Sequence, residues 1–391
     1  MNAHDTSHAE AADAQRRTLE LGLGVPFRSG NALEVLRNGD EIFAAMLAAI
    51  DAAQRSIDLC TFVYWTGSVA ERFAERLAAR ASEGLQVRVL LDGVGSLKMP
   101  ERLTRQMREA GADVRIFRPP ATLRLWRVDH RTHRKLLVCD NRVGFTGGVG
   151  IAEEWEGDAR HPGEWRDTHL RLEGPAVDGL CAAFLSNWME TAPSATPPPT
   201  PREHEHAGTS EVLVLASTAA VAWSDVALLY HLLISSAESR LRITTPYFVP
   251  DANSLELLCA AARRKVDVEI LVAGEHNDSR LSQWAGRQHY QALLDAGVRL
   301  SHYERTMMHA KVITIDEHLA VLGSPNFNRR SMQKDDELSL VIDDAEICAT
   351  LDQHFDEDLQ HAVLVDPARW PERALWERCA ERCAGLFASE V

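Results

Sequence analysis

The pattern His-x-Lys-x-x-x-x-Asp occurs twice in this chain of 391 residues. The two copies consist of His133, Lys135 and Asp140, and of His309, Lys311 and Asp316. Each copy lies in an apolar run and is followed at equal distance by a turn of small residues, 146–148 and 322–324. Two copies in matched surroundings indicate a duplicated unit that supplies two halves of one site. Two histidines and two lysines that close on one anion suit a reaction on a phosphodiester.

The residue types suggest how such a reaction proceeds. One histidine can attack phosphorus and form a covalent phosphoramidate. The other can protonate the departing alkoxide and later deprotonate the incoming acceptor. Two lysines neutralise the non-bridging oxygens, where the transition state spreads its charge. This chemistry requires no metal and no cofactor, and we predict none.

The third letter of the motif has a different expected role. Residues two apart on a strand point the same way, so His133 and Lys135 are expected to share one face of a strand. Asp140 lies seven positions from His133, an odd number, and is expected on the opposite face, as is Asp316. We therefore predict that both aspartates are structural and pair with basic groups behind the sheet.

Helices and strands alternate in the same order in both halves of the chain. In the first half the pattern predicts helices near 41–53, 69–83 and 101–110, with strands at 56–64, 86–91 and 113–117 before the motif strand. The second half repeats this plan between residues 224 and 316. The predicted fold is α/β, with two similar domains, each a mixed, mainly parallel sheet flanked by helices.

Composition suggests where the domains begin and end. Residues 1–25 are predicted to be a disordered tail, 26–192 the first domain, 193–210 a Pro-rich linker and 211–391 the second domain. The second domain ends in an amphipathic helix within 370–387, whose apolar side carries Leu375, Trp376, Cys379, Cys383, Leu386 and Phe387. We expect this side to pack on the domain, and contact with a membrane surface is the alternative.

The charge balance limits the possible partners. The net charge of −15 argues against general nucleic-acid binding, which requires a positive surface. Locally, residues 101–142 carry eleven Lys or Arg and five Asp or Glu, and this basic stretch surrounds the first motif. The stretch is either a solvated face or a binding face. The seven scattered cysteines are predicted to be free thiols, mostly buried.

The motifs and their surroundings resemble the phospholipase D superfamily. Closer similarity to bacterial cardiolipin synthases, of the shorter type without amino-terminal transmembrane helices, rests on several segments. These are HRTHRKLLVCD followed by FTGG, WRDTHLRLEGPAV, TTPYFVPD, MMHAKVITID, and GSPNFNRRS followed by DDELSL. The resemblance implies two phospholipase D-like domains related by a pseudo-twofold axis, with both motifs in one active site.

The resemblance also implies roles for individual residues. His133 matches the histidine that is usually the nucleophile, and His309 then serves as general acid and base, although the sequence itself does not distinguish the two. Asp167 and Glu337 match acids that orient the histidines. Asn326, in the second small-residue turn, matches a phosphate-contacting asparagine.

The first half departs from the family pattern at one position. Gly150 stands where the family usually has asparagine, so one phosphate donor is missing or replaced. Backbone amides of Gly147 and Gly148 can approach an anion closely and are predicted to bind phosphate, together with Ser324 in the second turn.

A basic and apolar segment just before the first motif could contact a membrane. Its candidate contact residues are Leu123, Arg124, Leu125, Trp126 and Arg127. Leu and Trp could enter the interface while Arg meets lipid phosphates. The alternative is an ordinary loop folded over the site.

The resemblance therefore implies a cardiolipin synthase, a phosphatidyltransferase that converts phosphatidylglycerol and a second phospholipid to cardiolipin through a phosphatidyl-histidine intermediate. That second lipid is phosphatidylglycerol or phosphatidylethanolamine, and the sequence does not distinguish them. The implied location is the cytoplasmic face of the bacterial inner membrane, as a peripheral protein. A hydrolase with the same site, acting on phospholipid or less plausibly on nucleic acid, is the main alternative. A lipid-binding scaffold without activity is the third.

Overall fold

The structure, a computed structural model, describes residues 3–120, 129–191, 204–219 and 224–387, with side chains from residue 12 onward. Twelve helices occur in these residues. They are α1 (Ala3–Leu23), α2 (Asn38–Ala52), α3 (Ser68–Ser82), α4 (Glu101–Glu109), α5 (Val177–Thr191), α6 (Asp225–Ser236), α7 (Ala252–Arg263), α8 (Arg280–Arg287), α9 (Tyr290–Ala296), α10 (Arg329–Gln333), α11 (Ala345–Leu359) and α12 (Leu375–Gly385).

The strands of the first half, with the one that opens the second, are β1 (Arg28–Arg37), β2 (Ser56–Thr61), β3 (Gln86–Asp92), β4 (Asp113–Phe117), β5 (Leu136–Cys139), β6 (Val143–Gly147), β7 (Thr168–Glu173) and β8 (Ser210–Ser217). The others are β9 (Arg240–Thr245), β10 (Phe248–Val249), β11 (Asp267–Ala273), β12 (Arg299–Tyr303), β13 (Val312–Ile315), β14 (Leu319–Gly323), β15 (Phe327–Asn328), β16 (Glu337–Asp343) and β17 (Ala362–Leu364).

All of these strands except β10 and β15 form one sheet, in which equivalent strands of the two halves follow the same order outward from the centre. The order is β17-β12-β11-β9-β13-β14-β16-β8-β1-β7-β6-β5-β2-β3-β4, and β10 pairs separately with β15. The antiparallel pair of β1 and β8 lies at the centre. Each strand of the first half has a counterpart at the same distance on the other side, with β17 added at one edge. This arrangement matches the predicted duplication and its pseudo-twofold relation.

The prediction of a mainly parallel sheet was wrong. Among the described strands, the parallel pairs within this sheet are β2–β3, β3–β4, β9–β11 and β11–β12, and the other pairs are antiparallel. The parallel pairs are the ones joined by helical crossovers, which the alternating pattern detected. The pattern missed that each motif strand turns straight back as a hairpin, β5–β6 and β13–β14, toward the centre of the sheet.

One hydrophobic core extends across the boundary between the two halves. It combines residues of α5 and β7, such as Phe184 and Leu170, with residues of β16 and α11, such as Leu340 and Phe355. Two further cores lie one in each half, beneath the helices of the parallel strands. Since a fully buried large side chain contributes roughly 1.5–3 kcal/mol, the shared core holds the two halves of the site together.

The motif aspartates end the two motif strands. Asp140 and Asp316 have positive φ (57° and 50°), as does the residue after each, which is the conformation of tight hairpin turns. The Asp140 carboxylate accepts hydrogen bonds from the backbone N–H groups of residues 54–56, at 2.7–3.0 Å. Asp316 accepts from those of residues 238–240, at 2.7–2.9 Å. Both carboxylates thus accept hydrogen bonds from backbone amides, and the structural role that we predicted for the two aspartates stays a prediction.

The prediction of a disordered tail at residues 1–25 was also wrong. Residues 3–23 form α1, which packs against α6, and Leu19 is buried in the core of the second half. Gln15 donates hydrogen bonds from Nε2 to the Ser236 carbonyl (2.7 Å) and to Asp316 Oδ2 (2.9 Å). Only a few side chains, spaced by helical turns, anchor this helix, so the rest of the segment is polar. That polar composition suggested disorder. Residues 192–203 lie outside the described part of the chain, so the linker and the domain boundaries stay predictions.

The last helix packs in the opposite way from the expected one. Glu381 and Ala384 of α12 are buried, whereas Leu375, Trp376 and Leu386 are exposed. Buried ion pairs to Arg287 and Arg373 hold the charged side against the domain. In the described part of the chain, no helix combines the length and apolar character needed to cross a bilayer.

We predict that Asp316→Asn lowers the free energy of unfolding by roughly 1–3 kcal/mol at pH 7, because hydrogen bonds to a charged acceptor are replaced by weaker ones. Burial alone would raise the pKa of Asp316, but the surrounding amides lower it below its usual value. The stabilisation is therefore present above the usual carboxyl pKa and is lost as pH falls through the lowered pKa. Urea titrations across this range measure it. Asp295→Asn, on an exposed face of α9, is the control, and equal stability of the two variants would contradict the assignment.

Candidate active site

Both motif histidines lie just before their strands, in extended segments that reach the other half. The His133 N–H donates to the Asp336 carbonyl (2.9 Å), and the Asp336 N–H donates to the Arg131 carbonyl (2.8 Å). In the symmetric position, the His309 N–H donates to the Arg166 carbonyl (2.7 Å). The sequence placed these histidines on the strands themselves. The structure instead uses each segment as a short bridge between the halves.

The side chains follow the same crossed arrangement. His133 Nδ1 lies 3.0 and 3.1 Å from the two carboxylate oxygens of Glu337, which belongs to the second half. His309 Nδ1 lies 2.7 Å from Asp167 Oδ2, which belongs to the first half. A carboxylate bound to Nδ1–H fixes the tautomer and leaves the lone pair on Nε2. The structure thus brings together all four residues that the sequence proposed for this task.

Each carboxylate is held in turn by further donors. The Ser324 hydroxyl donates to Glu337 Oε2 and accepts from the Leu338 N–H at 3.0 Å. Asp167 accepts from Trp155 Nε1 (2.9 Å) and from the Thr168 N–H (2.8 Å). Both carboxylates are fully buried, so these bonds prevent them from turning away from the histidines.

The two lysines lie beside the histidines that precede them. Lys135 Nζ donates to the His133 carbonyl at 2.9 Å. Lys311 Nζ donates to the His309 carbonyl at 2.5 Å and lies 3.1 and 3.2 Å from the two ring nitrogens. The charge of Lys311 lowers the pKa of His133, and that of Lys135 lowers the pKa of His309. The four side chains therefore form one electrostatic unit.

The pKa values of both histidines lie well below the usual value, which favours neutral imidazole rings near pH 7. Burial lowers the pKa of His133 to about 4, although Glu337 opposes the shift. Burial and Lys311 lower the pKa of His309 to about 3, against the opposing effect of Asp167. Burial would raise the pKa of both carboxyls, but their histidine partners and the lysines outweigh it, and both pKa values lie below the usual range.

The lysines lose part of their basicity for the same reason. Burial lowers the pKa of Lys135 to about 8 and that of Lys311 to about 7, while the nearby carboxylates oppose the shift. A bound phosphodiester carries a negative charge, which would raise all of these pKa values. Binding of an anion and protonation of the site therefore favour each other.

The two small-residue turns mainly contact the acids Glu337 and Asp167 and their neighbours, although we predicted that these turns bind phosphate. The Ser324 hydroxyl is taken by Glu337, and the Gly148 N–H donates to the Thr168 carbonyl at 3.3 Å. Neither group is thus available as the phosphate donor that we predicted. A Cβ at Gly148 would lie 2.2 Å from Asp167 Oδ1, so glycine is needed there for the carboxylate, and Gly147 lies beside it in β6. Asn326 differs, because its buried Oδ1 atom has no hydrogen-bond partner among the described residues.

Gly150 occupies the position equivalent to Asn326. The residue after each is paired in parallel with a corresponding residue of its own half, Ile151 with Tyr64 and Phe327 with Phe248. A Cβ at Gly150 would lie 2.7 Å from Val63 Cβ and 3.1 Å from Trp155 Cη2. The first half therefore replaces the usual asparagine with an apolar wall.

Aromatic side chains surround the histidines, and the sequence analysis did not identify them. Phe62 packs edge-on against His133, with ring centroids 5.2 Å apart. Trp155 and Trp165 lie 5.1 and 5.2 Å from His309, and Tyr247 lies 6.4 Å from it. No periodic pattern marks these residues, because Phe62 and Tyr247 each follow the end of a strand, and Trp155 and Trp165 lie in the connection between β6 and β7. The one feature of the sequence that could have identified any of them is that Trp155 and Trp165 lie close to Asp167 along the chain.

Two buried arginines beside the motifs were also missed. Arg134 donates to backbone carbonyls of Glu337 (3.2 Å), Ala183 (2.7 Å) and Ser217 (2.8 Å), which lie on three different elements. Arg166 donates to the Asp167 carbonyl and forms a buried ion pair with Asp358 at 2.9 Å. Both arginines fix the backbone that carries the orienting acids.

In the described residues, no group of three or more His, Cys, Asp or Glu side chains is arranged to hold a metal ion.

The predicted membrane-contact residues, from Leu123 to Arg127, lie outside the described residues, and their role stays a prediction.

We predict that Gly150→Ala lowers the free energy of unfolding by roughly 1–3 kcal/mol, because the new methyl group overpacks against Val63 and Trp155. Chemical denaturation measures the change. Gly163→Ala is the matched control, because a Cβ there meets no atom within 4 Å. If both variants are equally stable, the space at Gly150 is not filled as described.

Sequence comparisons agree with this site. A family model described as "Cardiolipin synthase, PLD-like domain" matches residues 46–154 and 230–359. A probable cardiolipin synthase of Bacillus subtilis (strain 168) is 34% identical over 361 residues, which span 91% of this chain and 71% of that protein. Cardiolipin synthase A of Yersinia pseudotuberculosis serotype O:1b is 33% identical over 397 aligned positions, which span 98% and 80%.

Structural comparison supports the fold. A phosphatidylserine synthase of Haemophilus influenzae superposes with a TM-score of 0.73 at 14% identity, covering 96% of this chain and 97% of that one. A polyphosphate kinase of Porphyromonas gingivalis gives 0.55 at 13% identity, covering 84% and 50%. The family match and the crossed His–acid pairs lead to one conclusion: the chain belongs to the cardiolipin synthase family of phospholipase D-like enzymes.

Proposed function

We propose that this protein is a phosphatidyltransferase that makes cardiolipin from phosphatidylglycerol and a second phospholipid. The observation that carries the proposal is the pair of neutral histidines, His133 and His309, each fixed by a buried carboxylate of the opposite half. This arrangement offers two imidazoles, of which one can act as nucleophile and the other as acid and base.

The first step transfers the phosphatidyl group to the enzyme. His133 Nε2 attacks phosphorus, and a phosphorus–nitrogen bond forms as the bond to the glycerol oxygen breaks. His309, protonated on Nε2 when the anionic substrate is bound, gives its proton to that oxygen, and glycerol leaves. Asp167 stabilises the imidazolium form of His309 through Nδ1–H.

The second step passes the group to an alcohol. The hydroxyl of the second lipid loses its proton to His309, which is neutral after the first step. Its oxygen attacks phosphorus, and the phosphorus–nitrogen bond to His133 breaks. With two molecules of phosphatidylglycerol, the products are cardiolipin and glycerol, so atoms and charge balance.

Lys135 and Lys311 stabilise both transition states. Their ammonium groups lie beside the histidines and are buried, so their charges act on the non-bridging oxygens with little screening. The Asn326 side chain can contact phosphate through its Nδ2 amide, since its Oδ1 atom only accepts hydrogen bonds and cannot bind a phosphate oxygen. The aromatic rings of Phe62 and Trp155 limit access of water to the histidines, which favours a lipid alcohol over water as acceptor.

We further propose that the enzyme takes its substrates from a membrane surface as a peripheral protein, at the cytoplasmic face of the bacterial inner membrane. With two molecules of phosphatidylglycerol, one is the donor and glycerol is its leaving group. Phosphatidylethanolamine is also open as the second lipid, but it has no hydroxyl group to accept a phosphatidyl group. It would therefore act as the donor, with ethanolamine as the leaving group and phosphatidylglycerol as the acceptor. The cardiolipin synthase relatives support this choice of substrate class.

The first test follows lipid products by mass spectrometry, with purified protein and phosphatidylglycerol vesicles in the presence of a chelator. We expect cardiolipin and glycerol from the native protein. Phosphatidic acid with glycerol would instead establish a hydrolase, and cleavage of nucleic acid without lipid products would establish a nuclease. Adding phosphatidylethanolamine identifies the second substrate by the head group that is released or retained.

Two histidine variants test the roles. We predict that His133→Ala forms no covalent lipid adduct and no product. His309→Ala should lower turnover by roughly 10²–10⁴-fold, because it removes the general acid and base. Peptide mass spectrometry after acid-free quenching locates the adduct. His206→Ala, on an exposed segment, is the control and should retain native activity. An adduct on His309 would reverse the two roles, and native activity in either active-site variant would refute the mechanism.

The pKa values predict a bell-shaped dependence of kcat/KM on pH. The nucleophile must be neutral, so activity falls as pH drops through about 4, the pKa of His133. On the alkaline side, the first step needs a proton on His309, so activity already declines above the low pKa of that histidine. The decline becomes steeper as the lysines lose their charge through about 7 to 8. Because the groups are coupled, the two limbs report the site as a unit.

Lys311→Arg tests the assignment of the alkaline limb. A guanidinium stays charged, so we predict that this limb moves to higher pH even if the maximal rate falls. Lys265→Arg, on an exposed turn, should leave the profile unchanged. An unmoved alkaline limb in Lys311→Arg would show that another group controls it.

A further inference from the structure

The outer face of α12 is the most exposed apolar surface in the described second half of the chain. We define it by its residues, Leu375, Trp376, Cys379, Cys383, Leu386 and Phe387. Leu386 is 82% exposed, Leu375 76%, Trp376 66% and Phe387 55%. Helical spacing places these residues on one side of a single helix and its last turn. A contiguous apolar surface of this kind marks an interaction site.

The packing of α12 keeps this face turned outward. Glu381, only 3% exposed, pairs with Arg287 of α8 at 3.1 Å and with Arg373 at 2.9 Å. Arg373 also lies over the ring of Trp370, 3.3 Å from its centroid. Turning the helix over would bury its apolar side but break these buried ion pairs, which is strongly destabilising.

The outer face lies at the same end of the sheet as the active site. Ala384 of α12 packs with Val249 and Ala285. Val249 is two residues beyond Tyr247, whose ring lies 6.4 Å from that of His309. The Tyr247 hydroxyl also donates to Asp278 (2.6 Å), just before α8 begins. Tyr247 and β10 thus connect the helix to the wall of the site within a few side chains.

We propose that the outer face of α12 docks this enzyme onto an anionic phospholipid bilayer, beside the entrance to its active site. The inference rests on the proposed function, since an enzyme that draws on membrane lipids requires such a surface. Arg378 and Arg382 are exposed along one edge of the apolar face, and neither forms an ion pair with a described residue. Apolar residues bordered by arginine are the pattern of helices that lie in an anionic interface.

A second copy of this chain is the competing occupant of the face. The net charge of −15 opposes association of two copies, whereas the arginines favour a surface of lipid phosphates. Lipid binding also explains why the charged edge and the apolar centre are exposed together, since headgroups and acyl chains meet both at once.

The exposed thiols of α12 allow a direct test. In a Cys181→Ser/Cys379→Ser variant, Cys383 is the exposed thiol that remains, and the other cysteines are buried. We predict that an environment-sensitive fluorophore on Cys383 shifts to the blue with vesicles containing phosphatidylglycerol and is quenched by brominated acyl chains. A smaller response is expected with pure phosphatidylcholine. Vesicle binding without any spectral change would overturn the proposal, as would a shift caused by self-association without lipid.

Charge substitutions provide the matched comparison. Leu375→Glu/Trp376→Glu should lower partitioning to these vesicles by about tenfold or more, because apolar contact is lost and negative charge is added. Val363→Glu/Leu364→Glu, on the exposed edge strand β17, should change it less than about twofold. Equal partitioning of both variants would overturn the assignment of the surface.

Activity separates this inference from the proposed function. The α12 variant should lose activity on vesicles but retain it on monomeric short-chain phosphatidylglycerol. If the native protein binds vesicles through α12 yet forms neither cardiolipin nor phosphatidic acid, the surface is upheld and the proposed function fails. If short-chain and vesicle activities fall together while partitioning is native, the docking role is refuted.

Discussion

The site depends on one constraint: each motif histidine is hydrogen-bonded to an acid that belongs to the other half of the chain. His133 meets Glu337, and His309 meets Asp167. Neither half can therefore hold a correctly oriented imidazole alone. The crossed backbone bridges and the continuous core beneath α5 and α11 follow from this requirement. A small relative movement of the halves would break both pairs together, so rigidity of the central sheet is a condition of activity.

The same arrangement explains how so much charge can be buried. Asp167, Glu337, Lys135 and Lys311 are all removed from water, which is expensive unless every charge is paired and hydrogen-bonded. The carboxylates are satisfied by imidazole, indole, hydroxyl and backbone donors, and so they stay ionised. The lysines feel the charges of Asp167 and Glu337 but form no ion pair in the described part of the chain, and their Nζ atoms lie beside the histidines, where they can contact a substrate phosphate. A phosphate anion supplies negative charge beside the two lysines, so its binding would stabilise the folded site.

Sequence predicted the chemistry better than the geometry. Duplication of the motif identified the two His–Lys pairs, because residue type and spacing are preserved there, and the family resemblance supplied Asp167 and Glu337. The parity argument predicted that Asp140 is structural but could not show that its carboxylate accepts from the backbone amides of residues 54–56. The antiparallel hairpins, the anchoring of α1 through Leu19 and the aromatic rings around His309 depend on contacts between distant segments. Local periodicity carries no information about such contacts.

The departures from symmetry suit a two-step reaction. A duplicated site begins with two equivalent histidines, whereas transfer requires one nucleophile and one acid–base group. Here the second half keeps Asn326, while the first half has Gly150 and the ring of Trp155 in its place. Trp155 both packs against His309 and donates to Asp167, so it dries the surroundings of one histidine and fixes its acid. Burial lowers the pKa of both histidines, and the close contact with Lys311 adds to the shift at His309. A bound phosphate anion would raise these pKa values, so the protonation of His309 that we propose is coupled to substrate binding.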